Sequence, residues 1–499
     1  MFNFIKNKAM KRITIILGIL LSAVILNAQN EVDALRYSTY YHGGTARFIS
    51  MGGAFNALGG DPSTLTFNPA GIGIYRKSEF TFTPTFYLND TRSTYLGSSY
   101  TDHKYNFNFN NFAIIGASLS GNEDGWAAVN FGFAYNRLNN FHRYSIIEGQ
   151  NFTSSITDYF AEIADGNSVD NLNYFNEGLA WETYLIDPDS SGNTADYMSS
   201  LIGRGEYQTR YTTQKGYIGE YAFSIGANYA NQFYIGGTIG IQSLRYEEDV
   251  IYSEDDRDSL INDFNFLEYK QHLETHGTGV NFKLGVIYRP VDWVRIGGAI
   301  HTPTFFGLND LYSSSMRSSI NSVLTDTSIS YKGTWYDSPS GEYNYSLTTP
   351  FKAIGSLAFV IKKAAIVSVD YEFVDYSIAR LRADDYSFIT ENNSISNSYT
   401  YAGNIRAGLE YKYGPFSFRG GYALYQSPYN KSQVDNDGSL TIYSGGIGIR
   451  SKSFYIDLAY TYSVMNENFY LYSPNVVTVE PAKMETTASR IIATLGFNF

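Results

Sequence analysis

The end of the chain, residues 490–499, reads RIIATLGFNF. Its odd-numbered positions all carry apolar side chains, whereas the polar residues Arg490, Thr494 and Asn498 all lie at even-numbered positions. Successive side chains of a β-strand point to opposite faces. The spacing therefore predicts a strand with one apolar face and one polar face.

The same alternation recurs in the segments 365–373, 405–413 and 454–462. Their polar parity carries charged residues: Asp370, Glu372, Arg406, Glu410, Lys412 and Asp457. In a soluble β-sandwich the apolar face would form the core and the charges would meet bulk water. In a membrane β-barrel the apolar face meets lipid and the charges line the lumen.

The lengths of the connecting links favour the barrel. Fourteen candidate strands can be placed, at 78–88, 105–119, 126–138, 217–230, 232–250, 266–289, 292–306, 342–362, 364–378, 399–413, 415–425, 440–451, 453–466 and 485–499. Tight turns alternate with long polar links, as in outer-membrane barrels. We therefore predict an all-β fold, a fourteen-stranded antiparallel transmembrane barrel, located in the outer membrane of a bacterium.

Composition excludes several other classes. Of the 499 residues, 17% are aromatic and only 17% are charged, and there is no Cys. Aromatic residues suit strands, and the absence of Cys excludes disulfide scaffolds and Cys-ligated metal sites. The net charge of −12 disfavours nucleic acid as a partner.

The N-terminus has the pattern of a secretory signal peptide. Lys6, Lys8, Lys11 and Arg12 precede an apolar run over 13–26, which small residues follow. A basic stretch, a short apolar run and a small residue at the cut are the parts of such a signal. We predict cleavage after residue 28, so that 1–28 is the signal peptide.

Two further regions do not read as strand. The longest link, 139–216, contains helix-like apolar spacing at 156–163 and 172–185, which predicts short helices over the extracellular mouth. Residues 29–76 are rich in Gly and too apolar for a disordered tail. We predict that they form a plug inside the barrel, which comprises 77–499.

The predicted plug contains the run GGTARFISMGGAFNALGGDPSTLTFNPAGIG, 43–73, with the triplet Asn68, Pro69 and Ala70. This run resembles the N-terminal hatch of the FadL/TodX (OMPP1) family of outer-membrane transporters. Weaker similarity to sequences of this family is found at 280–304, 351–377 and 405–428. The terminal Phe499 resembles the aromatic signal that the barrel-assembly machinery reads.

The resemblance implies a monomeric channel that takes up long-chain fatty acids or aromatic hydrocarbons. In that family the substrate leaves sideways through a gap in the barrel wall into the outer-membrane lipid. The gap requires a strand that bends inward, and Gly inside a strand marks such a bend. Gly132, in the third candidate strand, is our candidate for the gate, although it could equally accommodate ordinary barrel curvature.

Candidate ligand-pocket residues come from the plug and from the inward parity of the strands. They are Phe48, Met51, Phe55, Leu58 and Leu65 in the plug and Arg295 and Arg406 in the barrel. The arginines could bind a carboxylate head group. The alternatives are a salt-bridge ladder for the arginines and plug–barrel packing for the apolar residues.

Other functions find less support. The chain has no Gly-x-Ser-x-Gly elbow, and its 6 His lie near no recognisable nucleophile motif, so we predict neither an enzyme nor a resident cofactor or metal. His272 and His276 have the spacing of metal ligands on a helix but lie in a candidate strand. A haem receptor, a nonspecific porin, a surface adhesin and a barrel hydrolase remain alternative hypotheses.

Overall fold

The fold is described from a computed structural model, which covers residues 30–41, 43–122, 124–189, 196–201, 205–259, 261, 263–322, 329–362 and 364–499. The predicted signal peptide, 1–28, lies outside the described residues. Most of the described chain is β-strand.

The strands occur in the following order along the chain. They are β1 (Glu79–Tyr95), β2 (Ser98–Gly116), β3 (Trp126–Asn140), β4 (Arg143–Gln150), β5 (Ile186–Pro188), β6 (Tyr197–Ser199), β7 (Tyr207–Tyr229), β8 (Phe233–Asp255), β9 (Phe264–Val291), β10 (Val294–His301), β11 (Phe305–Ser322), β12 (Ile329–Lys332), β13 (Tyr336–Asp337), β14 (Gly341–Thr348), β15 (Lys352–Ile361), β16 (Ala365–Asp375), β17 (Arg380–Arg382), β18 (Tyr401–Tyr413), β19 (Phe416–Tyr425), β20 (Leu440–Arg450), β21 (Phe454–Phe469) and β22 (Ala482–Asn498).

Fourteen antiparallel strands close into a barrel, which confirms the predicted fold class. Each strand pairs with its neighbour along the chain, and β1 pairs with β22 so that Glu79 lies opposite Asn498. Three of the strands are interrupted, because β4 continues β3, β11 continues β10, and β14 precedes β15. Except where β2 and β3 separate, closure leaves the sheet without the free edges that an open sheet would expose.

The two rims of the barrel differ in their connections. One rim, the short-turn rim, carries tight links such as Ala230–Asn231, where φ is 50° and 56°. The other, the long-loop rim, carries the long links. Here the structure corrects one prediction: the expected long link at 89–104 is strand, and β1 and β2 meet in a tight turn at Leu96 and Gly97.

Side-chain exposure follows the predicted parity. In β16, Val369 is 46% exposed while its neighbour Asp370 is fully buried, and in β18 Leu409 is 50% exposed while Glu410 is fully buried. The outer surface is therefore apolar and aromatic, and the charged groups point into the lumen. Such an outer face suits contact with lipid hydrocarbon.

Helices lie before the first strand and in the loops. They are α1 (Glu31–Ser38), α2 (Ala46–Ser50), α3 (Ile156–Ala164), α4 (Glu177–Glu182) and α5 (Ile389–Ser398), with short 3₁₀ helices at Pro62–Thr66, Pro69–Ile74, Val169–Asn171 and Tyr376–Ile378. The predicted helix at 156–163 thus forms, whereas only part of 172–185 is helical. In the described part of the chain, no helix is long and apolar enough to cross a membrane.

Candidate functional site

Residues 30–41 and 43–75, called the N-terminal segment below, occupy the interior of the barrel. Their polar groups bond to inward-facing side chains around its circumference. The Tyr40 hydroxyl donates to Gln242 Oε1 at 2.9 Å, and the Ala46 amide donates to Thr494 Oγ1 at 2.7 Å. The Asn56 amide donates to Asp370 Oδ2 at 3.1 Å. The segment is therefore tied to strands on several sides of the wall.

Asn68, Pro69 and Ala70 connect the N-terminal segment to the wall of the barrel. Asn68 caps the 3₁₀ helix at Pro69–Ile74, because its Oδ1 accepts from the Ala70 amide at 3.1 Å. Its Nδ2 donates to the Val286 carbonyl of β9 at 3.2 Å. At Gly285, a Cβ would lie 1.8 Å from Asn68 Oδ1, so only glycine lets the wall approach this closely.

The structure divides the apolar pocket candidates between two packed clusters. Phe48, Met51, Phe55 and Leu58 belong to one cluster, in which the Phe48 and Phe55 ring centroids are 5.4 Å apart. Leu65 belongs to a second cluster beside β2, β3 and β7. All five side chains are almost fully buried. Their contacts are those of packing between the segment and the barrel.

The two candidate arginines lie apart, and each donates a hydrogen bond to another group of the protein. Arg295 Nη1 donates to the Leu58 carbonyl at 2.5 Å. Arg406 Nη2 donates to Glu372 Oε2 at 3.1 Å, and its guanidinium lies 4.3 Å from the Phe67 ring centroid. Arg295 therefore holds the N-terminal segment, and Arg406 sits in an ion pair beneath it.

A buried charge network joins the N-terminal segment to the wall of the barrel. Glu410 accepts from Arg47 Nε at 2.9 Å and from Arg419 Nε at 2.7 Å. Arg419 Nη1 also donates to Asp457 Oδ1 at 2.6 Å. Inward parity predicted the lumen positions of Glu410 and Asp457. Arg47, which comes from α2, carried no periodic signal.

The wall changes where β3 leaves β2. These two strands pair only between Asn111–Gly116 and Phe131–Asn136, although both continue toward the long-loop rim. Pairing of β3 with β7 shifts register between Arg137 and Asn139. We call the resulting gap between β2 and β3 the window.

The N-terminal segment takes the place of β2 along this part of β3. The Tyr41 amide donates to the Leu138 carbonyl at 2.9 Å, and the Gly43 amide donates to the Arg137 carbonyl at 2.6 Å. Asn139 Nδ2 also donates to the Thr39 carbonyl at 3.0 Å. The bent end of β3 is thus held inward by backbone pairing with the segment.

The window is bounded on both sides. Toward the short-turn rim lies the Asn111–Asn136 pair, and toward the long-loop rim the Lys104 ammonium contacts the Tyr144 hydroxyl of β4. A cavity of about 20 Å³ lies behind it, lined by Tyr41, Gly43, Thr85, Tyr87, Asn108, Asn110, Arg137, Leu138, Asn139, Asn140 and Arg490. That volume is close to one water molecule, so the segment leaves little free space behind the window.

Gly132 lies outside the window, on its short-turn side. It is paired on both sides, opposite Ile115 of β2 and Ser224 of β7. A Cβ at this position would lie 2.7 Å from side-chain carbons of both Leu65 and Ile72. Gly132 therefore provides space for the N-terminal segment within a continuous ladder.

A larger cleft opens at the long-loop rim. Its volume is about 270 Å³, and it lies between α1, the loop around Phe175, and the strands β8, β9 and β11. Tyr269, Leu273 and Tyr312 supply apolar surface, and Asp33 and Arg36 supply charge. The cleft is large enough for a small organic molecule, since an apolar cavity of about 150 Å³ holds benzene.

His272 and His276 lie in β9, where residues four apart are not neighbours as they are on a helix. The His272 ring Nδ1 lies 2.7 Å from Asp249 Oδ1. The strand geometry thus separates the two imidazoles along the sheet.

Together these features define a closed fourteen-stranded barrel whose lumen is filled by its own N-terminal segment. The fold is that of the FadL/TodX channels. A Pseudomonas aeruginosa FadL homologue aligns with a TM-score of 0.56 and 13% identity, covering 92% of this chain and 98% of that chain. The Pseudomonas putida toluene transporter TodX aligns with a TM-score of 0.53 and 12% identity, covering 92% of this chain and 99% of that chain. No profile of a known protein family and no curated protein sequence matches the chain.

Proposed function

We propose that the protein is a bacterial outer-membrane channel that takes up hydrophobic small molecules and releases them sideways through the window. The observation that carries this proposal is the loss of β2–β3 pairing beyond Asn111 and Asn136, beside a lumen filled by the N-terminal segment. A sideways exit suits an apolar substrate because each CH₂ group costs about 0.8 kcal/mol to place in water.

The surroundings of the window support this route. The outer face of β2 presents Tyr105, Phe107 and Phe109, whose exposed fractions are 76%, 51% and 44%. A molecule leaving between β2 and β3 would meet these rings and the lipid acyl chains. It would avoid the aqueous compartments on either side.

The route begins at the cleft of about 270 Å³ at the long-loop rim. We place this rim outside the cell, since outer-membrane barrels carry their longer loops there. The volume of the cleft favours a compact molecule such as a single aromatic ring over a long acyl chain. The similar TodX structure is that of a toluene transporter.

Transport then requires the N-terminal segment to release the bent end of β3. The amides of Tyr41 and Gly43 are bonded to β3 carbonyls, and the cavity behind the window holds only about 20 Å³. Binding in the cleft beside α1 would favour a state in which residues 39–43 move away. The predicted plug, 29–76, would thus act as a gate that obstructs the lumen.

The test is uptake of labelled toluene, fatty acid and haem by cells that lack the native gene and express variants. At Gly43, a Cβ would lie 2.4 Å from the Arg137 carbonyl oxygen, so Gly43→Val would separate the segment from β3. Gly420→Val is the matched control, because a Cβ there meets nothing within 4 Å. We expect Gly43→Val alone to change toluene uptake.

Equal uptake of all three compounds by cells with and without the protein would refute the proposal. A haem receptor would instead raise haem uptake alone. A porin would pass small hydrophilic solutes, although the filled lumen disfavours this function.

The proposal also includes export by the signal peptide 1–28, insertion through Phe499 by the barrel-assembly machinery, and a monomeric, non-enzymatic protein.

A further inference from the structure

Three carboxylates meet at the long-loop rim, away from the window. They belong to Glu206, Asp256 and Asp258, and one oxygen of each lies within 4.8 Å of the others. The register of the barrel explains their proximity. Tyr207 pairs with Asp255 across β7 and β8, so the residues flanking this pair necessarily converge.

Glu206 is the unusual member of this cluster. It is only 3% exposed, yet no described residue donates a hydrogen bond to its carboxylate. Asp256 Oδ1 is also buried without a partner, although the Ile261 amide donates to its Oδ2 at 3.2 Å. A buried carboxylate oxygen without a donor or cation is costly. Asp256 Oδ1 would therefore be stabilised by a ligand, and an oxygen of the buried Glu206 lies in the same cluster.

The neighbouring Glu254 shows how this rim stabilises a buried carboxylate when it uses protein groups alone. Its Oε2 accepts from Ser155 Oγ at 2.6 Å, and its Oε1 accepts from the Ile156 amide at 2.8 Å and from the Tyr252 hydroxyl at 2.6 Å. Glu206 has no such set of donors. The contrast within a few residues indicates that Glu206 serves a different purpose.

In the described part of this rim, the arginine that lies between Asp256 and Asp258 in the sequence is directed elsewhere. The Arg257 guanidinium lies over the Tyr207 ring, 3.2 Å from its centroid. The cluster therefore concentrates negative charge that a cation would stabilise.

We propose that Glu206, Asp256 and Asp258 form a Ca²⁺ site at the long-loop rim. Ca²⁺ takes 6–8 oxygen ligands in a flexible arrangement, which carboxylates from separate segments can supply together with water. Zn²⁺ prefers nitrogen and sulfur ligands, and the cluster offers only oxygen. Mg²⁺ demands near-ideal octahedral geometry and gives up its water reluctantly.

The site joins two separate parts of the rim. Glu206 precedes β7, whereas Asp256 and Asp258 follow β8. Bound Ca²⁺ would fasten the start of β7 to the end of β8 beside the loop that carries α3. This role is independent of the uptake proposal, because the site could bind Ca²⁺ whatever the barrel transports.

Isothermal titration of the detergent-solubilised, metal-free protein with CaCl₂ tests the proposal. We expect one site with a Kd of about 10⁻⁴–10⁻³ M, the range of extracellular modules. Glu206→Gln should weaken binding by about tenfold or more, because it removes a ligand charge. The matched control, Asp124→Asn, changes an exposed carboxylate in a tight turn of the short-turn rim and should bind as the wild type does.

A second pair of variants keeps the test decisive if Glu206→Gln does not fold. Asp256→Asn and Asp258→Asn each remove a less buried ligand, and each should weaken Ca²⁺ binding. Both variants should still migrate differently before and after heating in gel electrophoresis, as a folded barrel does. Absence of saturable Ca²⁺ binding to the wild type would overturn the proposal. So would wild-type affinity in the folded variants, or tighter binding of Mg²⁺ than of Ca²⁺.

Discussion

Glu410 carries two charged hydrogen bonds in the interior of the barrel, from Arg47 and Arg419. Because all three side chains are at least nine-tenths buried, loss of the carboxylate leaves guanidinium charge without compensation. We expect Glu410→Gln to lower the free energy of unfolding by about 3–5 kcal/mol. Urea titration of the protein in phospholipid vesicles measures this change.

The control for Glu410 is an exposed ion pair of the same barrel. Lys215 Nζ lies 2.8 Å from Glu247 Oε1, and the two side chains are 40% and 26% exposed. Glu247→Gln should cost about 0–1 kcal/mol. Equal effects of the two substitutions would show that the buried network does not stabilise the fold.

Gly132 leads to a second prediction at the scale of single residues. A valine there would press against Leu65 and Ile72, whose carbons lie 2.7 Å from the added Cβ. Overpacking of this kind costs about 1–3 kcal/mol. Gly132→Val should therefore melt at a lower temperature than Gly355→Val, where a Cβ meets nothing within 4 Å; matching melting temperatures would contradict this account.

The sequence predicted which side chains face the lumen but not which of them pair. Arg406 and Glu372 lie on inward parity and bond across neighbouring strands. That pairing depends on the stagger between β16 and β18, which alternation within one strand does not encode. The packing of Phe48 and Leu65 in different clusters was equally inaccessible, because it depends on the path of the N-terminal segment.

At the scale of elements, the window makes a prediction about backbone protection. Residues 98–110 of β2 pair with β1 but lack the partner that β3 provides to Asn111–Gly116. Amides that point toward the window should exchange faster than those of β21, which is paired on both sides. Hydrogen–deuterium exchange with mass spectrometry compares the two strands, and equal protection would mean that β2 and β3 do not separate in solution.

The strands that sequence reasoning located best are those that cross the apolar belt. Periodicity identified β16, β18 and β21 because their outer faces are apolar throughout. It missed the hairpin at Leu96 and Gly97, where the residues at 89–104 are mostly polar. Backbone pairing can extend a strand beyond the part of the barrel that faces lipid hydrocarbon. In that extension the side chains are polar on both faces, so hydrophobic alternation does not indicate a strand.

The filled lumen allows a prediction for the whole molecule. Deletion of residues 30–75 removes the groups that cross the interior but leaves the ladder from β1 to β22. The truncated barrel should pass a steady ionic current in a planar lipid bilayer, whereas the complete chain should remain near baseline. If the truncated protein keeps its folded gel mobility and still does not conduct, the segment is not what obstructs the lumen.

At this scale the prediction from sequence succeeded for the barrel, since alternation, an even number of strands and unequal loops all indicate the same architecture. The position of the window depends on where one strand departs from its neighbour. Gly132 lies in β3, but β3 separates from β2 only beyond Asn136. It is stabilised by the amides of Tyr41 and Gly43, which are far away in sequence.

The pairing of the first strand with the last has a consequence for how the chain folds. Glu79 and Asn498 lie opposite each other, and the Phe499 amide donates to the Ser78 carbonyl at 3.0 Å. This seam can form only after the whole polypeptide is present, and such distant contacts slow folding. A nascent barrel would expose two open strand edges until then, and unpaired edges of this kind readily pair with other chains.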